Sequence, residues 1–122
     1  MKGVITIQFD AYIQGSLFSP AKIASALRTT KAEISETLGL ASDALIRRQR
    51  MEATKTQTRL REMLEILNRV EPITGSILGA YAWFRSEPLQ GFGGQTPDQL
   101  LRAGHARRVH AYLDRVMAGG YA

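Results

Sequence analysis

The sequence predicts an all-α protein in which a helix-turn-helix bundle is followed by a small helical domain. Three observations predict it. Apolar residues recur at three- and four-residue intervals over most of the chain. Ser19-Pro20, Thr30 and Thr96-Pro97 are helix-start signals, a Ser or Thr N-cap that in two cases precedes Pro at the first helical position. Glycines and prolines separate the periodic segments, and no internal repeat or low-complexity run interrupts them.

Taken in order, residues 1–19 form an N-terminal extension, read as a tail or a short strand from the loose alternation of Ile5, Ile7 and Phe9. A first helix starts at Pro20 and places Ile23, Ala24 and Leu27 on one face. Thr30 caps a second, Lys31 to Leu38, with Glu33 at capping-box spacing, and Gly39 breaks it. A third begins near Ser42. A longer amphipathic helix from about Thr56 to Val70 carries the stripe Leu60, Met63, Leu64, Leu67 and Val70, with Pro72 and Gly75 ending it. The helix from Ser76 to Arg85 presents Ile77, Leu78, Tyr81 and Phe84. Two more run from Pro97 to Ala103 and from about Ala106 to Met117, the last showing Val109, Tyr112, Leu113, Val116 and Met117. The expected division is residues 1–19, residues 20–72 and residues 73–122.

At 122 residues the chain has room for one compact domain or two small ones, and 44% hydrophobic content places it among globular proteins. It has no cysteine, which excludes disulfides and thiolate chemistry. The apolar stretch Val4 to Phe9 is broken by Thr6 and Gln8, too short and polar for a signal peptide or membrane span. The expected location is the cytoplasm, with no membrane association.

The net charge is +5, and its placement matters more than its size. Arg47, Arg48, Arg50, Lys55, Arg59 and Arg61 face a single acid, Glu52, between Ile46 and Arg61, and this block accounts for the whole excess. Such a block suits a polyanionic partner, though a solvated helix face carries the same composition. Immediately before and into it, Thr30 to Arg48 looks like a helix-turn-helix. Ser35 is the small residue where two short helices touch, Gly39 makes the turn, and Ile34, Leu38, Leu40 and Leu45 fill the inner face. Arg48 departs from the pattern, standing where an apolar residue is common. In this reading Ser42 to Arg48 is the recognition helix. Ser42, Asp43 and Arg47 read base edges, Arg suiting guanine and Asp accepting from cytosine. Arg48, Arg50, Lys55 and Arg59 contact the DNA backbone. One short helix reads few bases, so a homodimer on a palindromic operator is expected. The long stripe from Leu60 to Val70 points to a dimer as well. A helical packing unit that serves dimerisation without DNA is the other reading of this stretch.

The last forty residues carry the most specific pattern. Trp83-Phe84 is followed by Pro88, Phe92-Gly93-Gly94, Thr96-Pro97, Leu100-Leu101 and Gly104 at fixed offsets. This describes a defined backbone path between two helices, with Gly93-Gly94 supplying torsions that a Cβ resists. The arrangement resembles the toxin-binding domain of the Xre/MbcA/ParS antitoxins, partners of RES-domain toxins, from about Ser76 to Ala122 and more weakly from about Pro20. Phe92 departs from it, standing where Leu is commoner.

The resemblance implies a type II antitoxin that binds a RES-domain, NAD-degrading toxin and covers its active-site entrance with its own C-terminal end. Gly120, Tyr121 and Ala122 are then the tail contacts, Tyr121 offering a flat apolar anchor with a hydrogen-bonding tip. Arg102, Arg108 and Arg115, with Arg107, would pair with acidic groups on the toxin or occupy a pocket meant for phosphates; plain surface charge is the other account of each. Autorepression through the helix-turn-helix and a homodimer within a higher-order toxin–antitoxin complex complete this expectation. The alternative is a stand-alone DNA-binding transcriptional regulator with no RES toxin partner.

No catalytic, metal or cofactor site is expected. Gly91 to Gly94 lacks a preceding strand and a Gly-Lys-Ser/Thr sequence. His105 and His110 are five apart and diverge on a helix, while Glu33 and Glu36 read as a solvated face.

Overall fold

The computed structural model describes residues 9–119. They form a two-stranded hairpin, β1 (Ile13–Gln14) and β2 (Leu17–Phe18), and seven helices. The helices are α1 (Pro20–Ala26), α2 (Lys31–Thr37), α3 (Arg48–Met51), α4 (Thr54–Thr74), α5 (Ile77–Ser86), α6 (Pro97–Arg102) and α7 (Ala106–Gly119). The fold is all-α apart from the hairpin. The chain divides into two compact units, Met1–Leu64 and Glu65–Ala122, with the boundary inside α4.

In the first unit the antiparallel hairpin pairs Ile13 with Phe18 and Gln14 with Leu17. Gln57 on α4 completes its outer edge. The side-chain amide accepts from Phe18 N at 2.8 Å and donates to the Phe18 carbonyl at 3.1 Å, as a neighbouring strand would. Helix α1 packs on α2, and Ile23, Ile34, Leu38, Leu45, Leu60, Met63 and Leu64 are fully buried. Ser19 accepts from Lys22 N and Thr30 from Glu33 N, so both predicted N-caps form. The Glu33 carboxylate accepts from the Thr29 hydroxyl.

In the second unit α5 packs on α6 and α6 on α7 around Phe84, Leu89, Leu100, Leu101, Val109 and Leu113. Ile66, Leu67 and Val70 of α4 are equally buried. Ser76 caps α5 by accepting from Gly79 N at 2.9 Å.

Three expectations need correction. Ser42 to Arg48 is not a recognition helix. Ser42 to Ile46 is a run of turns, and Arg47 is extended with φ −80° and ψ 125°; only then does the four-residue α3 begin. After Leu45 the positions three and four residues on are Arg48 and Gln49, both exposed. No apolar face continues there, and burial rather than propensity sustains so short a helix. Pro72 does not end the long helix. It lies inside α4, which runs one further half-turn until Gly75, at φ 88°, donates to the Glu71 carbonyl at 2.8 Å. The Leu60 to Val70 stripe is buried within the chain, each residue no more than 1% exposed, so it leaves no apolar face for a second copy.

Helices α1, α2 and α6 all end in the same way. The second residue past each helix is left-handed, and the two N–H groups that follow the C-cap return to carbonyls of the last turn. In α6 the left-handed residue is Gly104, at φ 84°; in α1 it is Arg28, at φ 53°, where a Cβ is strained. Two substitutions at this one motif position have opposite expected signs. Gly104→Ala should lower unfolding stability by about 1 kcal/mol, and Arg28→Gly should raise it by up to about 1 kcal/mol. Urea denaturation of the two variants beside the parent checks both signs.

Candidate functional site

The second unit presents its distinctive sequence pattern as a preformed loop between α5 and α6. Trp83 is half-buried and its carbonyl accepts from Glu87 N, while Phe84 is fully buried and anchors the end of α5. The chain then folds back on itself. Leu89 N donates to the Gln95 carbonyl, Phe92 N to Leu89, and Gln95 N to Phe92. Leu89, only 1% exposed, is driven into the core beneath these bonds. Gly93 and Gly94 have φ of 63° and 81°, and a Cβ on either meets nothing within 4 Å. Backbone torsion, not crowding, therefore requires glycine at both.

The loop leads into α6 through a polar knot around Asp98. This buried carboxylate accepts from the Thr96 hydroxyl, from Gln99 N at 2.9 Å and from Arg102 Nη1 at 3.2 Å. The Gln99 amide closes back on Thr96 N at 2.9 Å. A carboxylate at the first turn also complements the helix dipole. Arg102 is thus engaged by its own helix. Arg108 and Arg115 on α7 are exposed, and Arg115 lies over the Tyr112 ring, 5.9 Å from its centroid. The Tyr112 ring meets Phe92 edge-on at 6.3 Å, tying α7 to the loop. On the other side of α7, Arg69 Nη2 donates to Asp114 at 2.7 Å and Arg69 Nη1 lies 3.0 Å from His110 Nδ1. Gly120, Tyr121 and Ala122 lie outside the described residues, as does the Ile5–Ile7 part of the N-terminal extension.

In the first unit the residues expected to meet DNA are close in space but joined to one another. Asp43 holds Arg47 at 3.0 Å and Arg50 at 2.9 Å, and Arg48 pairs with Glu52 at 3.0 Å. These exposed pairs contribute less than about 1 kcal/mol each and exchange readily with other anions. Ser42 and Lys55 are exposed, and Ile46, 64% exposed, stands among the cations. Arg59 turns inward and donates to the Leu38 carbonyl at 2.8 Å, at the end of α2.

Sequence reasoning passes over Leu89, Asp98 and Arg69, and weighs His110 only as a metal ligand. Leu89 is the one aliphatic residue in an otherwise polar and glycine-rich loop, which is the signal that marks it. Asp98 is marked by its place two residues after the Thr96 cap. Nothing local marks Arg69, whose partners lie more than forty residues away.

With this geometry in view, the comparison with known families is decisive for one part of the chain. Residues 69–119 match the model of the antitoxin Xre/MbcA/ParS C-terminal toxin-binding domain. The match falls within the second compact unit and contains the whole loop, α6 and α7. It supports an antitoxin role with a toxin as the partner, and this family is not an enzyme family. No curated protein and no solved structure matches the chain. Among the described residues no helix is long and apolar enough to cross a membrane.

The loop geometry makes Leu89 the residue on which the surface of the second unit depends. Leu89→Ala should cost about 2–4 kcal/mol in stability, as for other buried leucines, whereas exposed Gln90→Ala should change it by less than about 0.5 kcal/mol. Chemical denaturation of the full chain measures both.

Proposed function

We propose that this protein is the antitoxin of a type II toxin–antitoxin pair whose toxin is a RES-domain, NAD-degrading enzyme. The observation that carries the reading is the coincidence of the matched segment, residues 69–119, with one compact unit. The RES identity of the partner comes from the sequence resemblance described above. Inhibition is steric. The domain binds beside the toxin's active-site entrance, and α7 carries the chain toward Gly120, Tyr121 and Ala122, which fill the entrance and keep NAD out.

The experiment is co-purification with a RES-domain toxin encoded beside this protein, followed by an NAD-degradation assay on the purified complex. Inhibition at one stoichiometric equivalent supports the reading, and full toxin activity in the presence of excess antitoxin overturns it. Deleting residues 119–122 in the same assay should leave thermal stability unchanged and weaken inhibition by about tenfold or more, the loss expected for a contact worth more than about 1.4 kcal/mol. Equal inhibition by the truncated chain would remove the tail from the mechanism.

We further propose that the protein represses its own operon through Arg47, Arg48, Arg50 and Lys55, acting on DNA phosphates. In this form the contact needs no recognition helix: exposed arginines exchange their carboxylate partners for phosphate and release counterions from the DNA. A homodimer, or a higher-order complex with toxin, supplies the second half-site. Replacing both Arg47 and Arg48 by Ala should abolish the gel shift of a promoter fragment while leaving toxin inhibition intact. An unchanged shift would place the DNA surface elsewhere.

A further inference from the structure

We infer that the toxin docks on one face of α7 and the adjoining loop, a face formed by Arg108, Tyr112, Arg115, Val116, Gln90 and Gly91. Its occupant is an acidic segment of the toxin that inserts an apolar side chain. The inference rests on the antitoxin reading and adds to it the place and chemistry of the contact.

Helix α7 buries Val109 and Leu113 almost completely, at 0% and 2% exposure. Val116 belongs to the same apolar pattern yet is 41% exposed, so the core of the unit does not consume it. It stands at the rim of an open depression of about 480 Å³ lined by Gln90, Gly91, Tyr112, Arg115 and Val116. Four and seven residues apart, Arg108, Tyr112 and Arg115 form one stripe along this face of the helix.

Charge selects the partner. Among the described residues no acid lines the depression, and neither Arg108 nor Arg115 has an ion-pair partner. The acid of α7, Asp114, is held by Arg69 instead. Two unpaired arginines flanking a tyrosine and an exposed valine therefore present a cationic rim around an apolar centre. This is the residue mixture that carries binding energy at protein interfaces, where arginine and tyrosine are enriched. The openness of the depression suits a side chain projecting from a protein surface rather than an enclosed small molecule.

The face is also preformed. The Phe92 ring against Tyr112, the buried Leu89 and the backbone bonds closing the loop hold Gln90 and Gly91 in place before any partner arrives. Little ordering remains to be done on binding, which raises affinity for a given contact area.

The test measures toxin affinity of the full-length chain by calorimetry, with Val116→Asp, Arg115→Glu and the double variant Arg108→Glu/Arg115→Glu. Each should weaken binding by about tenfold or more, with the double variant weakest. Ile73→Asp alters the other large apolar side chain exposed among the described residues of this unit, 58% exposed, and should bind as the parent does. Raising salt should weaken the parent more than the double variant, because only the parent retains both cations.

If the parent binds tightly and all three variants match it within about twofold, this face is not the docking site, although the antitoxin reading stands. A change in self-association of Val116→Asp with unchanged toxin affinity overturns the inference in favour of a second copy of this chain. If the parent neither binds nor inhibits the toxin, the antitoxin reading fails and this inference fails with it. Should Val116→Asp fold poorly, the exposed arginine variants decide the question alone.

Discussion

Burial of a single helical stripe is the constraint to which the rest of the structure is fitted. Leu60, Met63, Leu64, Leu67 and Val70 lie along α4, and Ile66 beside them is buried as completely. Each such side chain contributes about 1.5–3 kcal/mol relative to exposure. The helix contributes its first half to one compact unit and its second half to the other, so the stripe serves both cores. Two of its arginines reach other elements of their own units. Arg59 reaches the Leu38 carbonyl and Arg69 reaches His110 and Asp114.

The helix ends are the second organising device, because most of these helices are too short to stand without them. Helix α6 has six residues and α1 and α2 have seven each. A helix of that length gains few internal hydrogen bonds, and a large share of its backbone groups are terminal and need other partners. Ser19, Thr30 and Ser76 supply acceptors at N-termini, and the left-handed residue beyond α1, α2 and α6 returns N–H groups to the carbonyls of the last turn. The same economy appears in the loop between α5 and α6, where Leu89 is buried by a chain reversal that satisfies its own backbone.

Charge is distributed in two distinct ways. In the first unit most arginines of the basic block have acidic neighbours, with Asp43 shared by two of them. In the second unit Arg102 is held by the Asp98 knot and Arg69 by α7, while Arg85 lies over Tyr81 and Arg107, Arg108 and Arg115 are exposed on α7. Arg115 differs from the other exposed cations of this unit in its setting beside Tyr112 and Val116.

The sequence by itself determined the helical class, the N-caps at Ser19 and Thr30, the long amphipathic helix and the torsional demand at Gly93-Gly94. Each of these is a local property: a cap bonds within three residues, a stripe repeats within a turn, and a positive φ belongs to one residue. It also carried the resemblance of the last forty residues, since fixed offsets of glycine, proline and tryptophan are visible without coordinates. Only the tertiary structure decided that Ser42 to Ile46 would be turns, because that depends on whether burial continues past Leu45 to Arg48 and Gln49. Only it decided that the Leu60 to Val70 stripe would be filled from within, and which arginines would be spent on Asp98, Asp114 and Asp43. Those outcomes depend on partners brought together from distant parts of the chain, and periodicity records which face of a helix is apolar without recording what covers it.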